Sequence, residues 1–371
     1  MDRKPISLMR ATPPHTPASS EVLQKALAIC AQYLHLAGPP CQWRICETDE
    51  DRFTGLEWIG NRIRPGPALD RIMVTNGRAH STLFLMSSLV GPGNLLLTEE
   101  LTSPQVYSLA KIAAVEVQGV RIDDQGVIPD DFERKCKRHG PKAILLNCTI
   151  HTPTAYVTPT ERRLAILSVA RKYGVQIIED DAQALYLDEP PESFATMAPD
   201  MTWYMLGCSE YLNRGIDLAF VVVPSQCLLT DSLERLGPIS IWHPTPLAAS
   251  VISRWIRTGV AQDLLQLARV EIRKRQAIVS ELLSSIDGFR GSSGVHFWLP
   301  APAGIRGEQF SRAIATAGIL VQPSKVYAGH CEPRLEGIRP GIGSLLDLNE
   351  TRYAMEIIRD IYYTFWFGSV P

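Results

Sequence analysis

Charged side chains stand at the ends of several predicted strands, where they could do acid–base chemistry or bind anions. Asp180 closes one apolar run, and Glu210 follows the end of another by four residues. A positioned carboxylate can take up and release a proton during a reaction. Arg78 comes directly after an Asn-Gly turn at the start of a predicted helix, and helix N-termini favour anions. Arg339 lies in a predicted C-terminal strand, and a guanidinium can hold a carboxylate through two parallel hydrogen bonds.

The segments that must position these residues alternate between short apolar runs and helical patterns. Strands are predicted at 72–75, 94–97, 115–117, 143–147, 175–179, 201–206 and 218–223, and helices at 79–89, 104–114 and 159–173. The apolar runs are too continuous for strands with one face in water, which indicates a mostly parallel sheet between helices. The predicted class is therefore α/β.

The chain also divides into segments with different sequence patterns. Residues 1–20 contain several prolines and predict an extended N-terminal arm. Residues 46–258 hold the strand–helix alternation and form the predicted large domain. Residues 21–45 together with 259–371, which include a long helical pattern at 262–286, form a predicted smaller α+β domain.

Composition excludes several classes of function. The 371 residues carry a net charge of -2, from 37 basic and 39 acidic side chains, so neither nucleic acid nor a membrane is an expected partner. The eight cysteines show no C-x-x-C pair and no zinc-type spacing, so no metal site is expected and reduced thiols in the cytoplasm are the simpler interpretation. No signal peptide or membrane span is recognised, and we expect a cytoplasmic protein.

Several segments, in the right order, resemble class I/II aminotransferases of fold type I, which use pyridoxal phosphate (PLP). They resemble most the aminotransferase-like domain of MocR-type regulators, although we expect no winged-helix DNA-binding domain in this chain. The match runs from about 50 to 365. It rests on R-I-M-V-T-N-G at 71–77, G-P-G-N at 91–94, T-P-T at 152–154, I-I-E-D-D at 177–181, V-H-F-W-L at 295–299 and I-R-P-G at 338–341.

The resemblance implies a cofactor site, but most positions that would contact the cofactor are altered. Glu210 stands where the family has its imine-forming lysine, and no lysine occurs between Lys172 and Lys274. A carboxylate cannot condense with an aldehyde. The other altered positions are Ser103 for a stacking aromatic ring, Thr152 for an asparagine, Ala182 for a tyrosine, Gly207 for a serine or threonine and Asp217 for a phosphate-binding arginine. We therefore expect no cofactor.

Some positions keep the family's residue or its chemistry. Asp180 matches the aspartate that protonates the cofactor's ring nitrogen, and Arg339 matches the arginine that holds the substrate α-carboxylate. Gly77, Arg78, Asp180 and Ser209 are interpreted as vestigial cofactor positions. Arg339, Thr152, Ser103 and Arg78 are the predicted substrate-binding residues.

Three functions follow as hypotheses. The first is a repurposed biosynthetic enzyme that works without PLP on a small carboxylate-bearing substrate, with Glu210, Asp180 and His151 as catalytic residues and His330 as another candidate base. The second is a non-catalytic partner subunit or effector-binding pseudoenzyme. The third is an enzyme that holds PLP or pyridoxamine phosphate (PMP) without a covalent bond. The family resemblance implies a homodimer in each case.

Overall fold

The computed structural model describes residues 5–36, 47–236, 242–345 and 347–368. Its strands are β1 (Ile6–Ser7), β2 (Ile72–Thr75), β3 (Leu95–Glu99), β4 (Glu116–Val120), β5 (Ile122–Asp123), β6 (Gly126–Val127), β7 (Ala143–Leu146), β8 (Gln176–Asp180), β9 (Thr202–Gly207), β10 (Ala219–Val222), β11 (Leu299–Pro300), β12 (Ile319–Leu320), β13 (Gln322–Pro323) and β14 (Gly337–Arg339).

The helices connect and cover these strands. They are α1 (Pro17–Leu36), α2 (Asp49–Ile59), α3 (Arg78–Leu85), α4 (Pro104–Ala113), α5 (Pro129–His139), α6 (Thr160–Tyr173), α7 (Phe194–Met197), α8 (Gln226–Leu236), α9 (Pro246–Arg257), α10 (Val260–Leu283), α11 (Gly307–Thr316) and α12 (Leu348–Gly368). Local sequence explains several starts. Thr48 and Asp51 form a reciprocal capping box ahead of α2, and Pro104 occupies the first turn of α4.

The large domain is built on a seven-stranded sheet in the order β2-β10-β9-β8-β7-β3-β4. Only β10 runs antiparallel to its neighbours, and the remaining pairs are parallel. Alternate residues of each strand enter different cores: Leu96 packs into one apolar cluster and Leu97 into another. Both faces of the sheet are therefore buried, which explains the continuous apolar runs. The predicted α/β class is confirmed.

The smaller domain has a separate core. It packs β11-β14-β13, an antiparallel sheet, together with α11, α12 and the second half of α10, around residues such as Phe297, Phe310 and Ile338. Residues 295–299, predicted as a strand, carry only isolated bridges (Arg290 to Trp298, His296 to Gly341) before β11. This region contains both helices and strands, as predicted for an α+β domain.

The predicted extended N-terminal arm is partly packed and partly helical. β1 pairs in parallel with β12, and Ile6 and Leu8 are buried in the smaller domain's core. Helix α1 already begins at Pro17. Its buried residues Ala26 and Cys30 pack in an apolar cluster that joins large-domain residues such as Trp58 to the first half of α10. Residues 1–4 of the arm and 37–45 lie outside the described residues.

Topology places the functional residues at one edge of the sheet. Glu99 ends β3, Asn147 follows β7, Asp180 ends β8 and Glu210 follows β9. Ligands of open α/β sheets bind outside the carboxyl ends of parallel strands, because side chains from neighbouring strands converge there. In the described part of the chain, no helix is long and apolar enough to cross a membrane.

Candidate active site

A cavity of about 280 Å³ lies at this carboxyl edge, between the large domain, the smaller domain and the N-terminal segment. Five of the predicted site residues line it together: Arg78, Ser103, Thr152, Glu210 and Arg339. The other lining residues are Met9, Arg10, Ala11, Pro104, Gln105, Ala182, Gln183, Arg214, Val295, Gln322 and Tyr327. The structure thus brings most of the predicted residues to one place.

One guanidinium joins the two carboxylates of the site. Arg78 Nη1 donates to both oxygens of Asp180 at 2.8 and 2.7 Å, and its Nε lies 3.1 Å from Glu210 Oε1. Burial raises the pKa of the Asp180 carboxyl, and the Arg78 charge opposes that rise. The two acids raise the pKa of Arg78, which stays a cation. The Asp180 and Glu210 carboxylates therefore share one counter-ion, the Arg78 guanidinium.

Arg339, on β14, also lines the cavity, and among the described residues no carboxylate lies within ion-pair distance of it. Its Nε donates to the Tyr327 hydroxyl at 2.7 Å, and its Nη2 donates to the carbonyl of Met9 at 2.9 Å and to Gln322 Oε1 at 2.8 Å. The side chain is 5% exposed, and its buried Nη1 has no hydrogen-bond partner within the described residues. A buried cation whose described partners are all neutral lacks a compensating charge, and an anionic ligand could supply that charge.

Close contacts surround Glu210 and the nearby turn at Gly77. Ser209 lies beside Glu210, with the hydroxyl 3.3 Å from Oε2. Gly77 has a φ of 83° just before α3, and the Asp217 carboxylate packs against it so closely that a Cβ there would lie 2.1 Å from Oδ2. Burial raises the pKa of Asp217, and a hydrogen bond from Ser209 opposes the rise.

A second layer of buried polar groups, not predicted from the sequence, holds the floor of the cavity. Asn147 donates to the Asp180 carbonyl at 2.7 Å and accepts from the Thr152 amide at 2.8 Å. Glu99 accepts from the Asn147 amide at 2.8 Å, and burial raises the Glu99 pKa to about 8. Gln183 bonds the His296 ring at 3.2 Å. A polar residue directly after a buried strand was the sequence signal for Asn147.

The predicted catalytic role of His151 needs correction. The side chain is fully buried and stacks on Tyr156 with ring centroids 4.2 Å apart. Its Nδ1 bonds the Thr154 hydroxyl at 2.8 Å and its Nε2 bonds the Leu101 carbonyl at 3.0 Å. Burial lowers its pKa to about 3. Both ring nitrogens bond to groups that do not line the cavity, so this histidine stabilises the loop that carries it. His330 lines a different groove.

Comparisons with known proteins agree with this fold. The family model for aminotransferase class I and II matches residues 67–335, and the chain belongs to that family. It is 24% identical over 296 residues to an uncharacterized HTH-type transcriptional regulator, YdeF, of Bacillus subtilis, covering 79% of this chain and 63% of the regulator. It is 25% identical over 282 residues to the 2-aminoadipate transaminase of Thermus thermophilus, covering 72% and 68%.

A solved structure gives the same architecture. Pyrococcus horikoshii kynurenine aminotransferase, in complex with PMP, superposes with a TM-score of 0.85 at 18% identity, covering 98% of this chain and 92% of that one. At this identity the likeness shows the fold alone. The chain spans about 55–63% of the length of the first regulators that it matches.

The expectation of no cofactor is wrong for this family. The family is that of class I and II aminotransferases, and the superposed enzyme is in complex with PMP, which points to a pyridoxal-phosphate-type cofactor. The donor set in the cavity fits such a group held without a covalent bond. The Asp180 carboxylate already accepts a cationic N–H, as it would from a protonated ring nitrogen. The Arg78 guanidinium and the Ser209 hydroxyl are donors suited to a phosphate. The carboxylates of Asp217 and Glu210, which lie beside these donors, oppose an anion.

Proposed function

We propose that this chain binds a small amino-acid-like molecule by its carboxylate, beside a PLP-type cofactor held non-covalently. The observation that carries the proposal is Arg339: a buried guanidinium that lines the cavity and whose Nη1 has no hydrogen-bond partner within the described residues. Among the described residues no carboxylate lies within ion-pair distance of it. A ligand carboxylate would supply both the missing charge and the missing acceptor.

The second element of the proposal is the loss of the family's lysine at Glu210. The Glu210 carboxylate lies 3.1 Å from Arg78 Nε and 3.3 Å from the Ser209 hydroxyl, and Glu210 lines the same cavity as Arg339. It cannot bond covalently to an aldehyde. When bound, a PLP-type group would supply the electron sink for chemistry at an amino acid's α-carbon. Glu210 would then hold or release a proton at Oε2, since Oε1 faces the Arg78 guanidinium.

The alternative is an effector-binding protein without turnover. Arg78 contacts Asp180 and Glu210 at once, and these contacts hold both carboxylates in place rather than leaving them to move toward a substrate. Regulators among the relatives favour the same alternative. In either case the ligand class is the same, and turnover separates the two.

We also propose a homodimer. The apolar groove beside α1 and α9 is lined by Leu27, Cys30, Leu247 and Val251, and its rim reaches Asp217. Leu27 is 41% exposed and Leu247 is 49% exposed. Such a patch next to the site is suited to a second copy. Native mass spectrometry of the purified chain tests it: a monomer at micromolar concentration contradicts it.

The experiment for the main proposal compares Arg339→Gln with the matched control Arg306→Gln, whose side chain is 70% exposed. Calorimetric titration with L-glutamate and L-2-aminoadipate, each with and without PMP, measures binding. We expect Arg339→Gln to lose about tenfold to a hundredfold in affinity, the worth of a charge-assisted hydrogen bond. We expect the control to bind like the unchanged protein. Equal affinity of both variants, or no binding of any amino acid, would contradict the proposal.

The cofactor half is tested separately by absorbance and mass. Gel filtration with excess PLP or PMP should leave a chromophore with the protein, and borohydride should not fix it to the chain. A protein that retains no chromophore contradicts this half, whatever the amino-acid titration gives.

A further inference from the structure

A second groove, of about 530 Å³, runs along the edge of the large sheet. It shares no lining residue with the cavity described above. We call it the β4-edge groove. One side is formed by β4 with the neighbouring ends of α4 and α5, and the other by residues 328–334 of the smaller domain. Residues from helices on both faces of the sheet line it, which shows that it follows the edge itself.

The backbone of β4 has one open side in this groove. β4 is the last strand of the sheet order and pairs only with β3 among the described strands. Glu116 donates its amide to the Asn94 carbonyl at 3.0 Å, and the Val120 carbonyl accepts from the Glu100 amide at 2.8 Å. In a parallel ladder the residues that face a neighbour alternate. The amides and carbonyls of 117 and 119 therefore point outward, into the groove.

Three cations surround this open edge without counter-ions. Lys111 comes from α4, Arg121 follows β4 and Lys135 comes from α5, and none has an ion pair or side-chain hydrogen bond within the described ranges. Arg334 is occupied, because it lies 3.4 Å from Glu100. The floor between them is apolar, formed by Ala110, Val115 and Val117.

These features together define a kind of partner. Open strand edges accept an additional strand through main-chain hydrogen bonds, and side-chain pockets then give specificity. Lysines on an edge repel strands that carry no compensating charge. The same cations attract an acidic strand, so charge selects among the segments that could pair here.

We propose that the β4-edge groove binds an extended peptide segment of a partner protein, with acidic side chains alternating with apolar ones. The segment adds as an eighth strand beside β4. Its main chain bonds the amides and carbonyls of 117 and 119, its acidic side chains meet Lys111, Arg121 and Lys135, and its apolar side chains cover Val115 and Val117.

The test uses synthetic eight-residue peptides, labelled and capped at both ends, and the full chain. Fluorescence anisotropy compares a Glu-Val repeat with a Lys-Val repeat. We expect only the acidic peptide to bind, with an affinity that falls as salt is raised because exposed charges are screened. Two further acidic peptides carry N-methyl groups on alternate backbone amides. One is methylated at the odd-numbered residues and the other at the even-numbered residues. At least one of them should lose binding tenfold or more.

Variants of the chain complete the test. Lys111→Glu with Arg121→Glu should weaken the acidic peptide at least tenfold, whereas the control Lys137→Glu, on an exposed position of α5, should not. Circular dichroism and thermal melting check that the variants fold alike. Equal binding of the two repeats overturns the proposal. Full binding by both methylated peptides also overturns it, since charge contact alone would then explain the result.

Discussion

Arg78 Nη1 donates to both oxygens of Asp180, at 2.8 and 2.7 Å, across a sequence separation of 102 residues. This contact ties the first turn of α3 to the end of β8. Because the Nε of the same guanidinium faces Glu210 at 3.1 Å, one cation serves two acids on this wall. Arg339, which also lines the cavity, is a buried cation without an acid in ion-pair distance among the described residues, so a ligand anion could pair with it.

Replacing Arg78 by glutamine should destabilise the protein, and more so at higher pH. The change leaves Asp180 and Glu210 without their counter-ion, and breaking such a pair costs on the order of 2–3 kcal/mol at these partly exposed sites. The pKa of Asp180 is already raised by burial, so its stability contribution is present at low pH and is lost as pH rises. Urea unfolding at pH 4 and pH 8 measures this. Arg78→Lys is the control, and an equal loss at both pH values would count against the assignment.

Replacing Glu210 by lysine should restore covalent attachment of PLP. The new amine would lie near Arg78, whose charge lowers the amine's pKa and increases the reactive neutral form. After incubation with PLP and borohydride, intact-mass measurement should show one added phosphopyridoxyl group per chain. Glu210→Gln, treated identically, should show none. A lysine variant that stays unmodified would mean that Glu210 does not occupy the family's lysine position.

Replacing Tyr327 by phenylalanine should weaken carboxylate binding without abolishing it. The Tyr327 hydroxyl accepts from Arg339 Nε at 2.7 Å and also contacts Gln322, so it fixes the guanidinium. Losing one such hydrogen bond costs about 1 kcal/mol, or roughly fivefold in affinity. Titration with L-2-aminoadipate checks this. The control Tyr353→Phe, on the partly exposed face of α12, should bind normally. A larger loss than in Arg339→Gln would show that Tyr327 acts in some other way.

Replacing Glu99 by glutamine should flatten the pH dependence of stability on its alkaline side. Burial raises the Glu99 pKa from 4.5 to about 8. Its neutral form therefore stabilises the fold below pH 4.5, and this contribution is lost as the pH rises through about 8. Thermal melting between pH 5 and 8.5 should show a steeper decline for the unchanged protein than for Glu99→Gln. Parallel curves would contradict a buried neutral carboxyl at this position.

The fold was predictable because it rests on patterns that span many residues. The seven strands of the large sheet fall close to the predicted runs, since burial on both faces of a sheet requires continuous apolar sequence. Residues 295–299 were not predictable in the same way. Their apolar letters suit a strand, but tertiary packing into two cores decides which part pairs.

The site was predictable only in part. The resemblance to the family placed Arg78, Thr152, Ser103, Glu210 and Arg339, and all five line one cavity. The links between them were not predictable, because they join segments far apart in sequence: Asn147 to Asp180, or Arg339 to the Met9 carbonyl. The choice of His151 failed for a related reason. A histidine beside a matched motif gives no sign that both of its nitrogens are occupied by its own loop.

The N-terminal segment is bonded through its main chain to two arginines that line the cavity. Arg339 holds the Met9 carbonyl, and Arg214 holds the Ala11 carbonyl at 3.0 Å. Two glycines, Gly341 and Gly343, lie so close to the carbonyls of Arg10 and Thr12 that no side chain would fit. The position of the Arg339 guanidinium is thus coupled to the main chain of the N-terminal segment. In the proposed binding role, a ligand carboxylate that immobilises Arg339 would therefore also immobilise the segment around Met9.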